Sequence, residues 1–137
     1  MSNASNILKE DMPDEILLAE QDPAVRRSIQ LLLRGNGHDV KAYGQALALV
    51  NDRARHPLGC LVIDQAMASL DGTSVPHVLN AQGWTGRAIL LAMDPAPALL
   101  AGAQARGFDV VLAKPVQAHL LAEAIARIHR RQMARTG

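Results

Sequence analysis

An α/β fold, with a five-stranded parallel sheet and helices on both faces, is predicted for this chain by three observations. Short apolar runs, too brief for helices, alternate five times with segments in which apolar residues recur at helical spacing. Most of those runs are apolar at consecutive positions, as in strands buried on both faces. The connections between them are too short for anything but right-handed crossovers onto a parallel sheet. With 137 residues, 49% apolar and 20% charged, the chain has the size and balance of one globular domain with one core. No output domain is expected within it.

Ser2-Asn3-Ala4 has the look of a cloning remnant, so residues 1–13 are read as a disordered tail or cloning remnant and 14–134 as the domain. Glu15 to Ala19 (EILLA) is the first buried strand. Asp22-Pro23 starts a helix, because Asp is a favoured N-cap and the missing proline N–H costs nothing at the first helical position. Val25, Ile29, Leu32 and Leu33 give that helix its apolar stripe, and Gly35 and Gly37 end it. His38 to Tyr43 (HDVKAY) alternates and reads as a strand nearer the sheet edge. A second helix, from about Gln45 to Ala54, is expected to turn Leu47 and Val50 inward, and Pro57 stops it.

Gly59 to Asp64 (GCLVID) is the central strand, ending abruptly at a carboxylate. Asp71-Gly72 reads as a turn, followed by a short helix with Val75, Val78 and Leu79. Arg87 to Ala92 (RAILLA) is the fourth strand. Pro95 and Pro97 open a helix that ends at Gly107, and Phe108 to Ala113 (FDVVLA) is the last strand, stopping at Lys114-Pro115. The final helix, Gln117 to about Met133, carries Leu120, Leu121, Ala124, Ile125 and Ile128 on one stripe. The pattern as a whole predicts a flavodoxin-like doubly wound sheet of order 2-1-3-4-5.

Composition narrows the functions. A net charge of +1 gives no global case for nucleic acid or an anionic membrane, and no apolar run approaches the roughly 18 residues of a membrane span. The single cysteine, Cys60, lies inside the central strand and has no partner for an intramolecular disulfide, which fits a reducing cytoplasm. The five histidines show no metal-ligand spacing, and the glycines form no dinucleotide-binding loop. Arg127, Arg130, Arg131 and Arg135 suit the dipole at the end of a helix.

In the predicted strand order, the ends of strands one, three and five share one edge of the sheet, where ligands bind in open α/β folds. They carry Glu20-Gln21-Asp22, Asp64 and Lys114. Carboxylates from separate loops suit a hard divalent cation such as Mg²⁺, and a nearby lysine supplies a point charge for a phosphoryl group. A carboxylate is also a nucleophile able to form an aspartyl-phosphate.

These pieces carry a resemblance. The acidic cluster with Asp22-Pro23 and Arg26 behind it, Asp64 followed by Asp71-Gly72, and Lys114-Pro115, in this order and spacing, resemble the receiver domain of a two-component response regulator over about Glu15 to Arg130. The resemblance implies a phosphoacceptor rather than an enzyme with a substrate of its own: Asp64 takes a phosphoryl group from a histidine kinase or phosphotransfer protein, and Lys114 contacts that group. It also implies a weakly held Mg²⁺ at Glu20, Gln21, Asp64 and the backbone carbonyl of Ala66, a cis Lys114-Pro115 bond, and cytoplasmic signalling through protein contacts that include a homodimer. Neither membrane nor nucleic acid is expected as a partner of this domain.

Three positions depart from the family pattern. Gln21 stands where a second acid contacts the metal, Ala92 where a Ser or Thr hydroxyl meets the phosphoryl group, and Val111 where an aromatic ring changes rotamer. They keep open an alternative, a receiver-like interaction module that works without phosphorylation.

Overall fold

The computed structural model describes the backbone of residues 15–136 and the side chains of residues 15–130. The expectation for residues 1–13 lies outside the described residues. Five strands, β1 (Glu15–Ala19), β2 (Asp39–Tyr43), β3 (Cys60–Asp64), β4 (Arg87–Met93) and β5 (Val110–Lys114), form one sheet of order β2-β1-β3-β4-β5. Every pairing is parallel. The helices are α1 (Pro23–Gly35), α2 (Ala46–Asn51), α3 (Val75–Ala81), α4 (Pro97–Ala103) and α5 (Ala118–Thr136).

Side chains alternate across a strand, so each buried strand feeds two cores. On one face Leu17, Leu61, Ile63 and Leu90 pack with Leu49 and Val50 of α2 and Val75 and Leu79 of α3. On the other, Ile16, Leu18, Val62, Ile89 and Leu91 meet Ile29 and Leu33 of α1 and Leu121, Ile125 and Ile128 of α5. Both cores are almost wholly aliphatic; Trp84 and Phe108 belong to the first.

Local chemistry sets the ends of the elements. The Asp22 side chain accepts from the backbone N–H of Ala24 at 2.9 Å and of Val25 at 3.3 Å, with Pro23 opening α1 as its sequence predicts. Helix α2 is shorter than expected because Asp52 takes over the chain: its carboxylate accepts from the Ala54 N–H at 3.0 Å and from the Tyr43 hydroxyl at 2.6 Å. With Ala46, Leu49 and Val50 facing inward, Leu47 is turned out and 45% exposed, contrary to expectation. Leu120 is likewise 41% exposed, since Leu121, Ala124, Ile125 and Ile128 complete the stripe of α5 without it. Phe108 is buried in the core but lies before β5. The left-handed Gly107, φ +98°, returns the chain there and the ladder begins at Val110.

Candidate functional site

Three parallel strands deliver three charged side chains to the C-terminal edge of the sheet. Glu20 directly follows β1, Asp64 is the last residue of β3 and Lys114 the last of β5. Lys114 spans the width of β4 to reach the other two. Its ammonium donates to Glu20 Oε1 at 2.8 Å and also to Asp64 Oδ2. Both acids are almost fully buried, Glu20 at 1% and Asp64 at 5% exposure. Their remaining oxygens are met by the backbone: Glu20 Oε2 accepts from the Asp22 N–H at 3.1 Å, and Asp64 Oδ1 from the Ala66 N–H at 3.0 Å. All four carboxylate oxygens are thus hydrogen-bonded, which is what permits two acids to be buried side by side.

Two carboxylates and one ammonium leave one net negative charge. Burial works to lower the pKa of Lys114, but its hydrogen bonds to Asp64 and Glu20, and then their charges, outweigh burial and hold it above the ordinary lysine value. The lysine is therefore a fixed cation at neutral pH.

The backbone around the acids is tied on several sides. The Arg26 guanidinium donates to the Glu20 carbonyl at 2.9 Å, and the Glu20 N–H donates to the Tyr43 carbonyl at 3.1 Å. Beyond Asp64, the Gln65 N–H donates to the Leu91 carbonyl at 2.8 Å. Gly72 packs directly on the Asp64 carbonyl, where a Cβ would lie 2.2 Å from the oxygen. The Asp71 carboxylate holds this approach by accepting from the backbone N–H and the hydroxyl of Thr73, each at 2.9 Å. Sequence patterning identifies Asp71-Gly72 as a turn, and its spacing after Asp64 is one of the pieces of the resemblance. The close approach needs a residue without a Cβ, and that requirement has no local signature.

Of the eight positions singled out from sequence, Glu20, Asp64 and Lys114 are joined through the lysine ammonium, and Ala66 adjoins them through its N–H on Asp64. Gln21 does not join them: its side chain is exposed. Asp22 is occupied in capping α1. Ala92 is fully buried and offers no donor, and Val111 is half-buried against the first core. The Lys114-Pro115 bond is cis.

Mg²⁺ is commonly held by one or two carboxylates, with water and phosphate oxygens completing its octahedron. Glu20 and Asp64 meet that minimum. Among the described residues no group of three or more His, Cys, Asp or Glu side chains is placed to hold a metal ion.

Residues 16–126 match the response regulator receiver domain family. The chain belongs to that family. The tetrathionate response regulatory protein TtrR of Salmonella typhimurium is 29% identical over 112 residues, covering 82% of this chain and 54% of TtrR. The response regulator protein TmoT of Ectopseudomonas mendocina is 32% identical over 73 residues, covering 53% of this chain and 33% of TmoT. The chain spans between a third and about half of the length of these curated relatives. The receiver domain of the sensor histidine kinase PA1611 from Pseudomonas aeruginosa PAO1, solved with a magnesium ion coordinated in its active site cleft, superposes with a TM-score of 0.73 at 25% identity. That superposition covers 85% of this chain and 98% of the kinase receiver. Receiver domains are signalling domains of two-component systems, and among the described residues no helix is long and apolar enough to cross a membrane.

Proposed function

We propose that this receiver domain accepts a phosphoryl group on Asp64 from a histidine kinase or phosphotransfer protein and signals through protein contacts. The observation that carries the reading is the Lys114 ammonium bound at once to Asp64 and Glu20. In the transfer, Asp64 Oδ2 attacks phosphorus, the bond from phosphorus to the donor nitrogen breaks, and the donor imidazole regains a proton. Lys114 then exchanges its carboxylate contact for an oxygen of the new acyl phosphate, keeping a cation beside the added negative charge. The Ala66 N–H, already 3.0 Å from Asp64 Oδ1, orients the carboxylate for the attack.

Mg²⁺, when bound, would supply a second positive charge for the phosphoryl oxygens. Glu20 and Asp64 would hold it, together with the Ala66 carbonyl and, after a side-chain movement, the Gln21 amide oxygen. With a neutral amide at Gln21 in place of a third carboxylate, the affinity is weak and phosphorylation slow.

A second reading, a module whose partner binds regardless of phosphorylation, is favoured by one observation: the buried methyl of Ala92 has no hydrogen to donate to a phosphoryl oxygen. The two readings part on chemistry. Incubation with acetyl phosphate and Mg²⁺ is expected to give a slow mass adduct of one phosphoryl group that Asp64→Asn abolishes. Absence of an adduct at high Mg²⁺ leaves the phosphorylation-independent module.

A further inference from the structure

The opposite edge of the sheet carries a second polar cavity that the phosphoacceptor reading does not use. It lies where the loop from α2 into β3 meets the loop from α3 into β4. Arg53, Arg55, His56, Gln82 and Trp84 are among the residues that line its volume of about 200 Å³. A water occupies about 30 Å³ of liquid, so the space accommodates a tetrahedral oxyanion with some of its hydration.

Its electrostatics are one-sided. The Arg55 guanidinium is fixed by donating to the Asp52 carbonyl and to Gln82 Oε1, and Gln82 is itself anchored by donating to the Val50 carbonyl at 3.1 Å. Arginine has five N–H donors, so Arg55 keeps donors to spare in a fixed orientation. Arg53 is exposed beside it. His56 Nδ1 accepts from the Leu58 N–H at 3.1 Å, which fixes Nε2 as the ring's donor.

Among the described residues no carboxylate lines the cavity, and the two that stand next to its lining residues already have partners. Asp52 accepts from Tyr43 and Ala54, while Glu15 accepts from the His56 N–H at 2.9 Å and faces Lys41 at 3.8 Å. Trp84 closes the lining from the core side and serves as a reporter of occupancy. It is 2% exposed, and its indole Nε1 is buried with no hydrogen-bond partner.

We propose that this cavity binds a phosphate dianion, free or as a phosphomonoester, between Arg53 and Arg55 at the sheet edge remote from Asp64. The site is distinct from the candidate phosphoacceptor pocket and needs neither Asp64 nor a metal.

The chain's one tryptophan makes the test direct, because a ¹⁵N–¹H spectrum holds a single indole peak. The Asp64→Asn chain is titrated in chelator with inorganic phosphate and, separately, with AMP, against chloride at matched ionic strength. Saturable shifts of the Trp84 indole and the Arg53, Arg55 and Gln82 amides are expected. Phosphate acting alone points to the free ion, AMP acting alone to a phosphomonoester, and both to the shared group. Arg53→Gln, at an exposed position, should weaken binding about tenfold while leaving the rest of the spectrum in place. Arg55→Lys keeps the charge but loses the fork and should also weaken it. Shifts that match chloride, or that persist at full strength in both variants, would overturn the proposal.

Discussion

Replacing Lys114 by Met keeps the length of the side chain and removes its charge, leaving two acids facing each other with no cation between them. Glu20 and Asp64 have side-chain exposures of 1% and 7%, and Lys114 only 15%, so water screens little of the change. Removing one partner of a buried ion pair costs about 3–5 kcal/mol, and the partial opening at Lys114 places this site near 3 kcal/mol. For a domain of this size that corresponds to a melting point lower by about 12 °C. The experiment is urea and thermal unfolding at neutral pH of the native chain, Lys114→Met, Asp64→Asn and the double variant. Because Asp64→Asn removes one of the two unpaired charges, the double variant should be more stable than Lys114→Met alone. Millimolar Mg²⁺ should recover part of the loss in Lys114→Met by binding the folded state. A loss below about 1 kcal/mol, the range of exposed ion pairs, with no recovery in the double variant, would refute the reasoning.

Gly72→Ala sets a methyl 2.2 Å from the Asp64 carbonyl oxygen and should cost about 3 kcal/mol by overpacking, whereas Gly102→Ala in α4, with nothing within 4 Å, should stabilise by about 0.5–1 kcal/mol; chemical denaturation separates them. The single tyrosine, Tyr43, is held neutral by burial and by its hydrogen bond to Asp52, which raise its pKa well above the usual 10.0. Since the folded value is raised, its contribution to stability is full below about pH 10 and is lost as pH rises through the folded value. Ultraviolet titration should show delayed phenolate formation that Asp52→Asn moves back down. The face formed by α4, β5 and α5 should change little when the pocket fills, because Ala92 has no hydroxyl to bond a phosphoryl oxygen and Val111 no aromatic ring to swing inward. Small amide shifts across 95–126 in beryllofluoride-loaded protein are expected, and large ones would mean that another route couples pocket and face.

The sheet, its order and the edge that gathers the charged residues were legible because they rest on period and position. Consecutive apolar residues mark β1, β3 and β4, Asp22-Pro23 marks the start of α1, and a parallel sheet of order 2-1-3-4-5 leaves Glu20, Asp64 and Lys114 on one edge. What escaped depends on contacts between distant segments. The early end of α2 follows from the hydroxyl of Tyr43, nine residues away, binding Asp52, and with it Leu47 turns outward. The Arg26 clasp on the Glu20 carbonyl and the approach of Gly72 to Asp64 are tertiary in the same way. An acidic run such as Glu20-Gln21-Asp22 also cannot reveal by type alone how its members divide. The fold buries Glu20, spends Asp22 on a helix cap and leaves Gln21 facing solvent.

Fluorine NMR of the protein with Mg²⁺ and beryllofluoride tests the central claim most directly, because this phosphoryl mimic is stably held only by a carboxylate backed by cations. If Asp64 is the phosphoacceptor and Lys114 its fixed cation, bound fluorine signals should appear at high Mg²⁺, vanish in Asp64→Asn and weaken strongly in Lys114→Met. No bound signal in the native chain at saturating Mg²⁺, or an undiminished one in Asp64→Asn, would contradict it.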